Sequence, residues 1–140
     1  NPYSKATKYI LDNYMKRRDR YRPYAPVVIE ERANKYFDID GSSPVMMRNV
    51  QVLDKRLFAV THVDGTARVQ TVNKKQNKLL YLLLLEVEKI TDIPVLLNTS
   101  FNQPGEPIVE SPYDAINSYI SGHLDNLFLG NIMISRKSHD

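Results

Sequence analysis

The chain has 140 residues, of which 42% are hydrophobic and 25% are charged, and its formal net charge is +3. This composition is typical of a soluble globular protein with an apolar core, and it excludes an intrinsically disordered chain. The absence of cysteine excludes a disulfide framework and thiolate zinc sites, and it suits a reducing cytoplasm. The apolar run at residues 79–85 is far shorter than the roughly 20 residues of a membrane-spanning helix. We therefore predict a cytoplasmic protein without membrane contact.

The first half of the chain carries helical and extended patterns in alternation. Asn1 and Pro2 suit a helix start, and the apolar spacing that follows predicts an amphipathic helix to about Lys16. Pro23 and Pro26 then exclude helix and favour extended backbone. The next expected elements are a strand at 27–29, a short helix at 30–37 and strands at 45–52, 57–63 and 67–72.

The second half centres on a predicted helix at residues 78–90 that is apolar on almost every side. Such a helix is normally buried against other layers, and the sequence leaves open whether this chain alone covers it. Ser111, Pro112 and Asp114 then supply an N-cap and first turn, and Gly122 is a C-terminal stop. The remaining expected elements are a strand at 95–97, a helix at 112–121 and a last strand at 127–134. This mixture predicts a single domain of the α/β or α+β class, with helices packed on a sheet.

The segment at residues 61–70 has the densest set of chemically active side chains. Four of them occupy alternate positions, namely His62, Asp64, Thr66 and Arg68. We expect two strands joined by a tight turn at Asp64 and Gly65. An unbroken strand would place all four side chains on one face of the sheet. A turn at Gly65 would change the face on which some of them lie.

Arg68 and His62 each allow a structural and a functional interpretation. A guanidinium held on a rigid element suits phosphate or carboxylate oxygens, because its donors form a planar fork. Alternatively, Arg68 pairs with a strand neighbour and His62 is an ordinary core histidine.

A second cluster of interest is the basic segment, which holds Lys16, Arg17, Arg18, Arg20 and Arg22. It is either a solvated helix end, whose cations interact favourably with the helix dipole, or an anion site presented by the stiff proline-rich loop that follows.

A third cluster is the polar corner at residues 98–100, which follows an apolar strand abruptly. Ligands of open α/β sheets bind beyond strand C-termini, so Asn98 and Ser100 are candidate neutral donors to ligand oxygens. The alternative is a polar turn that satisfies its own backbone. No metal held by the protein is predicted, because the three histidines are scattered and zinc spacings are absent.

Three motifs occur in one order along the chain: YRPYAP at 21–26, THVDGTARVQ at 61–70, and NTSFN followed by GEPIV at 98–109. Together they resemble the C-terminal domain of the O-carbamoyltransferases that decorate antibiotics and nodulation factors. The resemblance implies a YrdC-like twisted mixed sheet packed with helices, with residues 1–140 excised from a longer enzyme. It also implies that the domain binds carbamoyl phosphate and ATP, with Mg²⁺ carried by the nucleotide, and forms a carbamoyl-adenylate. A separate N-terminal ATPase-like domain of the same polypeptide would then transfer the carbamoyl group to a hydroxyl acceptor.

The resemblance also assigns roles to individual residues. It implies that Lys16, Arg18 and Arg22 face bound anion and that Arg68 contacts the phosphate of carbamoyl phosphate or nucleotide. The residues expected to be catalytic are Arg68, Lys16 and Arg22. The expected substrate- and nucleotide-binding residues are Arg18, His62, Asp64, Thr66, Asn98 and Ser100.

Two other functions remain open from the sequence. Basic residues interleave with Tyr14, Tyr21 and Tyr24, as in modules that stack RNA bases on aromatic rings. Nucleic acid is the weaker prediction, because Tyr21 and Tyr24 lie in the proline-containing segment YRPYAP and no RNA-recognition motif is present. A non-catalytic docking domain that completes the surface of a partner domain is the other alternative.

Overall fold

The computed structural model describes residues 2–15, 24–122 and 124–136. The chain forms two compact units, one of residues 1–9 with 19–99 and one of residues 10–18 with 100–140. Among the described residues, the first unit holds a four-stranded sheet and the second a two-stranded hairpin.

The helices and strands follow one another along the whole described chain. The helices are α1 (Lys5–Ile10), α2 (Lys78–Thr91) and α3 (Pro112–Ser121), with a π-helical turn at Leu11–Met15 and a 3-10 helix at Glu30–Lys35. The strands are β1 (Ala25–Ile29), β2 (Arg48–Gln51), β3 (Thr66–Val72), β4 (Val95–Asn98), β5 (Asn126–Leu129) and β6 (Ile132–Ser135).

The sheet of the first unit has the strand order β2-β3-β1-β4. Strands β1 and β3 are parallel, whereas β2 and β4 pair antiparallel with their neighbours. All five residues of β1, which lies between β3 and β4, are buried. The predicted α+β class with a mixed sheet is therefore confirmed.

Helix α2 packs on one face of this sheet through a small apolar cluster. Its buried members are Val27, Ile29, Val72 and Leu84, and its partly buried members are Leu80, Tyr81, Leu85 and Leu96. The helix begins at the cap residue Asn77, whose side chain accepts a hydrogen bond from the Leu80 amide at 3.0 Å. Each buried aliphatic side chain contributes about 1.5–3 kcal/mol, so this cluster holds the helix against the sheet.

A loop residue, Ser43, completes one edge of β3 beyond its pairing with β2. The Thr71 amide donates to the Ser43 carbonyl at 3.0 Å, and the Ser43 amide donates to Thr71 Oγ1 at 2.7 Å. The Ser43 hydroxyl donates to the Val69 carbonyl at 2.9 Å. Both hydroxyl side chains are buried, and these bonds satisfy them while fixing the loop that leads into Pro44.

The second unit consists of α3 and the β5–β6 hairpin around Ala115, Tyr119 and Leu127. Ser111 and Asp114 form the predicted capping box at the start of α3. At the other end, the Arg136 guanidinium donates to the carbonyls of Tyr119, Ile120 and Gly122. This arginine satisfies carbonyls that a helix end leaves without intrahelical partners.

The sequence predictions for two strands are wrong. Residues 57–63 form successive turns, with the Leu57 amide bonded to the Asp54 carbonyl and the Val60 amide to the Leu57 carbonyl. Leu57, Ala59 and Val60 are buried in these turns and do not pair in a sheet. The single strand predicted at 127–134 is two strands, because Gly130 adopts a left-handed φ of 59° and reverses the chain.

Two helix predictions are also modified. The regular part of the first helix ends at Ile10, before the predicted end. Helix α2 has the predicted position, but Leu84 is its one buried residue among those described. Leu79, Leu83 and Ile90 are exposed on its outer side. In the described ranges, no helix is long and apolar enough to cross a membrane.

Candidate functional site

One face of the four-stranded sheet carries a set of polar side chains beside the apolar cluster. This is the face on which Val27, Val72 and Leu96 contact α2. Because side chains alternate along a strand, residues an even number of positions away share that face. They are Ala25 on β1, Arg68 and Gln70 on β3, and Asn98 on β4, with Asn49 on β2 as the Cα partner of Arg68.

Four of these residues lie at one level across the sheet. Asn49 pairs with Arg68, and Ala25 pairs with Asn98. The parallel register of β1 and β3 puts Ala25 at the level of Arg68. Since neighbouring strands are about 4.8 Å apart, the Cα atoms of Arg68 and Asn98 are separated by about 10 Å. The sheet thus holds a guanidinium and an amide on either side of a strand position that contributes only a methyl group. We call the residues Asn49, Arg68, Ala25 and Asn98 the polar row.

Arg68 differs from the other arginines that the structure describes, because it has no hydrogen bond or ion pair with a described residue. The others have protein partners: Arg32 pairs with Glu88, Arg48 with the Asp40 carbonyl, Arg56 with Asp54, and Arg136 with helix carbonyls. Arg68 is exposed in the middle of β3, between two neighbouring strands. Within the described chain, the alternative of an ion pair with a strand neighbour is therefore not realised, and no described residue takes up the donors of this guanidinium.

Gln70 connects the polar row to the loop beside β3. Its Nε2 donates to the Pro44 carbonyl at 3.1 Å, and its Oε1 accepts from Asn98 Nδ2 at 2.6 Å. One side chain thereby bridges a loop on one side of β3 and the end of β4 on the other. The Asn98 side chain is consequently held in a defined orientation.

His62, Asp64 and Thr66 meet in the turn that precedes β3. The turn closes through a hydrogen bond from the His62 amide to the Thr66 carbonyl at 2.7 Å, with Gly65 at a left-handed φ of 81°. Asp64 Oδ1 accepts from the Thr66 amide at 2.9 Å and from the Thr66 hydroxyl at 2.7 Å. The predicted turn is therefore confirmed, but the strand expected before it is absent. The turn, and not a shared strand face, brings these three side chains together.

The hydrogen bonds of this turn also determine the tautomer of His62. The Thr66 hydroxyl has one proton, and it donates that proton to Asp64 at 2.7 Å. At 3.3 Å from Thr66 Oγ1, His62 Nδ1 must then act as the donor. A neutral ring protonated at Nδ1 has an unprotonated Nε2, and this buried atom has no hydrogen-bond partner among the described residues.

The surroundings of this turn lower the pKa values of both His62 and Asp64. Burial lowers the pKa of His62, the positive charges of Arg68 and Lys8 lower it further, and Asp64 opposes them. Hydrogen bonds from the Thr66 amide and hydroxyl lower the pKa of Asp64. At neutral pH the turn therefore presents a neutral imidazole, with Nε2 as an acceptor, beside an ionised carboxylate.

The remaining predicted site residues do not belong to the polar row or to the turn before β3. Lys16, Arg18 and Arg22 lie outside the described residues, so their meeting with Arg68 stays a prediction. Ser100 belongs to the second unit, where its hydroxyl donates to Asn102 Oδ1 at 2.7 Å. Asn102 in turn donates to the Glu106 carbonyl at 2.8 Å, so at least part of this corner satisfies its own turn.

A cleft in the second unit does not coincide with the predicted site. It has a volume of about 350 Å³, and its lining residues include Glu106, Glu110 and Asp114. Carboxylates disfavour a phosphate, so this cleft does not suit the expected ligands. The described residues also offer no group of three or more histidines and carboxylates that could hold a metal ion.

Gln70 and Asn49 were missed by the sequence analysis. The signal for Gln70 was available, because it lies two positions after Arg68 in a strand and hence on the same face. Asn49 had no such signal, since its position opposite Arg68 depends on the register of β2, which lies far away in sequence.

Comparison with known proteins identifies the family of the chain. Residues 1–136 match the family described as carbamoyltransferase C-terminus. The nodulation proteins NolNO of Sinorhizobium fredii and NolO of Bradyrhizobium diazoefficiens are 40% and 38% identical over 99% and 98% of this chain. An uncharacterized protein of Methanocaldococcus jannaschii is 39% identical over 86% of it. The chain spans only 21%, 26% and 24% of the lengths of these three relatives. It belongs to the carbamoyltransferase C-terminus family.

Proposed function

We propose that this chain is the domain of a carbamoyltransferase that binds carbamoyl phosphate and ATP and forms a carbamoyl-adenylate. The observation that carries the proposal is Arg68, an exposed guanidinium on a rigid strand without a partner among the described residues. Membership of the family supports carbamoyl transfer as the reaction class. The guanidinium and amide groups of the polar row suit a ligand with an anionic end and a polar end.

The charges of the two substrates explain why cations are needed at such a site. Carbamoyl phosphate and ATP bring several negative charges together, and their repulsion must be offset before the phosphates can react. Arg68 supplies one positive charge in a fixed position, and a preorganised cation stabilises the charge that develops during displacement. In our proposal Lys16, Arg18 and Arg22 add further cations, and Mg²⁺ accompanies the nucleotide.

The proposed reaction has a defined balance of atoms. Carbamoyl phosphate and ATP give carbamoyl-adenylate when pyrophosphate and phosphate are released and one water is consumed. We propose that an N-terminal ATPase-like part of the same polypeptide then transfers the carbamoyl group to a hydroxyl acceptor. The length of the relatives, which is about four to five times that of the chain, supports such a partner.

Substitution of Arg68 tests this function in the full-length polypeptide. We expect Arg68→Ala to reduce carbamoyl-phosphate-dependent pyrophosphate release by about 10²–10³-fold, because one preorganised donor is lost. Arg68→Lys is the matched control: it keeps the charge but loses the planar fork, so an intermediate rate is expected. Thermal unfolding should be unchanged in both variants, since the Arg68 side chain forms no hydrogen bond or ion pair with a described residue. Near-normal turnover of Arg68→Ala would contradict the assignment.

An RNA-binding function has less support than the carbamoyltransferase function. Stacking needs an accessible aromatic face, and Tyr24 is only 1% exposed. Tyr21 lies outside the described residues, as do the basic residues between 16 and 22.

A second candidate function, docking, is favoured by the outer side of α2. Leu79, Leu83 and Ile90 are 81%, 50% and 83% exposed, although a helix of this composition normally buries such residues. We propose that the rest of the polypeptide covers this side of α2. Docking is compatible with the first function, but docking alone predicts no heat when carbamoyl phosphate is titrated into the protein.

A double substitution, Leu79→Lys with Leu83→Lys, tests the docking surface in the full-length polypeptide. We expect the single thermal transition to split in two, because the apolar contact between the parts is lost, while carbamoyl phosphate affinity stays within about twofold. Glu86→Lys on the same helix is the control, since it changes the net charge equally without removing apolar surface. One unchanged transition in the double variant would exclude the proposed contact.

A further inference from the structure

We infer that Gln70 and Asn98 together recognise the carbamoyl group of a ligand. Gln70 positions the Asn98 amide so that it pairs with a primary carbamoyl group, and the anionic end of the same ligand contacts Arg68. This inference rests on the proposed function and extends it to the specificity of the site. It assigns a role to Gln70, and it makes Asn98 both an acceptor and a donor, whereas the sequence suggested a donor only.

The orientation of both amides follows from one backbone carbonyl. A carbonyl oxygen can only accept, so the group of Gln70 that lies 3.1 Å from the Pro44 oxygen must be the NH₂ group. The other end of the Gln70 amide is therefore the oxygen, and it can only accept. The Asn98 group that lies 2.6 Å from it must then be Nδ2. Oxygen and nitrogen of an isolated amide are easily interchanged, but this chain of bonds leaves a single assignment.

Asn98 consequently keeps two groups available for a ligand. Its Oδ1 has no hydrogen bond with a described residue, and one N–H remains after the other is donated to Gln70. The Asn98 amide thus offers one acceptor and one donor, which are the two kinds of group that the N–H and C=O of a primary carbamoyl group require. A methyl ketone or acyl group offers only the carbonyl oxygen, so it leaves Oδ1 unpaired.

The position of Arg68 specifies what the carbamoyl group is attached to. Arg68 lies at the level of Asn98, on the other side of Ala25. Their Cα atoms are about 10 Å apart, and both side chains extend from the same face of the sheet. A small ligand that contacts both therefore needs a carbamoyl group at one end and an anionic group at the other. The ligand class is a carbamoylated phosphate, which fits the proposed substrate.

Acetyl phosphate is the matched probe, because a methyl group of similar size replaces the NH₂ group of carbamoyl phosphate. We expect the full-length polypeptide to bind carbamoyl phosphate about tenfold more tightly than acetyl phosphate by calorimetry. Gln70→Met should bring the affinity ratio to about one by weakening carbamoyl phosphate alone. Arg68→Ala should weaken both ligands and leave the ratio unchanged. If Gln70→Met does not fold, Asn98→Leu tests the same loss of preference for carbamoyl phosphate. Leucine is similar in size to asparagine, but its side chain cannot form hydrogen bonds.

Each outcome separates this inference from the proposed function. Equal affinities in the unsubstituted protein, or a ratio that survives both Gln70→Met and Asn98→Leu, would overturn the inference and leave the anion site intact. Failure to bind carbamoyl phosphate, acetyl phosphate and inorganic phosphate alike would overturn the proposed function and the inference with it.

Discussion

The two halves of one sheet face, which lie within a few residues of each other, have opposite characters. On β3 the apolar Val72 contacts α2, whereas Gln70, two positions earlier, joins a polar network. On β4 the same change occurs between Leu96 and Asn98. The backbone and the pairing are continuous through both halves, so the strands that fold the domain also hold the polar row. The polar row therefore gains its rigidity from the neighbouring core, because the two share strands.

Loss of a buried side chain from the apolar half of this face is expected to lower the stability of the domain most. Leu84 is fully buried between α2 and the sheet, and Leu84→Ala is expected to lower the free energy of unfolding by about 2–5 kcal/mol. The adjacent Leu83 is half exposed, so Leu83→Ala is the control and should cost far less. Denaturant unfolding measures both. Equal losses in the two variants would mean that α2 does not hold the sheet as described.

The affinity of folded Leu84→Ala for carbamoyl phosphate tests whether the apolar half of the face affects the polar half. If the two halves of the face share only their strands, the affinity of the folded fraction should stay close to that of the unsubstituted protein. The Arg68→Ala variant should show the reverse pattern, with lost turnover and unchanged unfolding.

A smaller change in the free energy of unfolding is expected when pH changes the protonation of His62. The pKa of His62 is lowered in the folded chain, so near pH 6 the unfolded state binds more protons than the folded state. Its stabilising contribution is therefore complete above the unfolded pKa of about 6.5 and is lost as pH falls through the folded value. The slope from one such group is at most about 1.4 kcal/mol per pH unit.

Chemical unfolding between pH 5 and 7.5 measures this contribution. We expect stability to fall with decreasing pH less steeply in His62→Gln than in the unsubstituted protein. Asp64 does not confuse the result, because its lowered pKa acts only in more acidic solution. Parallel curves for the two proteins would show that the imidazole is not desolvated at this end of the sheet.

The sequence predicted the features that depend on short-range patterns. The position of β3, the turn at Gly65 and the capping box of Ser111 and Asp114 follow from neighbouring residues, and all three are confirmed. The hairpin was also within reach, because Gly130 followed by Asn131 is a turn signal between two apolar runs.

Other features could not be obtained from local patterns. The place of β1 between β3 and β4 depends on long-range pairing, and so does the level at which Ala25 faces Arg68 and Asn98. Leu57, Ala59 and Val60 are buried in turns, and composition alone does not separate such turns from a strand. The network through Gln70 required knowledge of a loop carbonyl, that of Pro44, which no periodicity reveals.

The strand order β2-β3-β1-β4 has a consequence for the timing of folding. The groups of the polar row come from strands that are remote in the chain, so their loops must close before any ligand group is in place. On the proposed function, partially folded chains would offer carbamoyl phosphate no complete site. Binding of carbamoyl phosphate to the finished sheet is then expected to slow hydrogen exchange of amides in all four strands together.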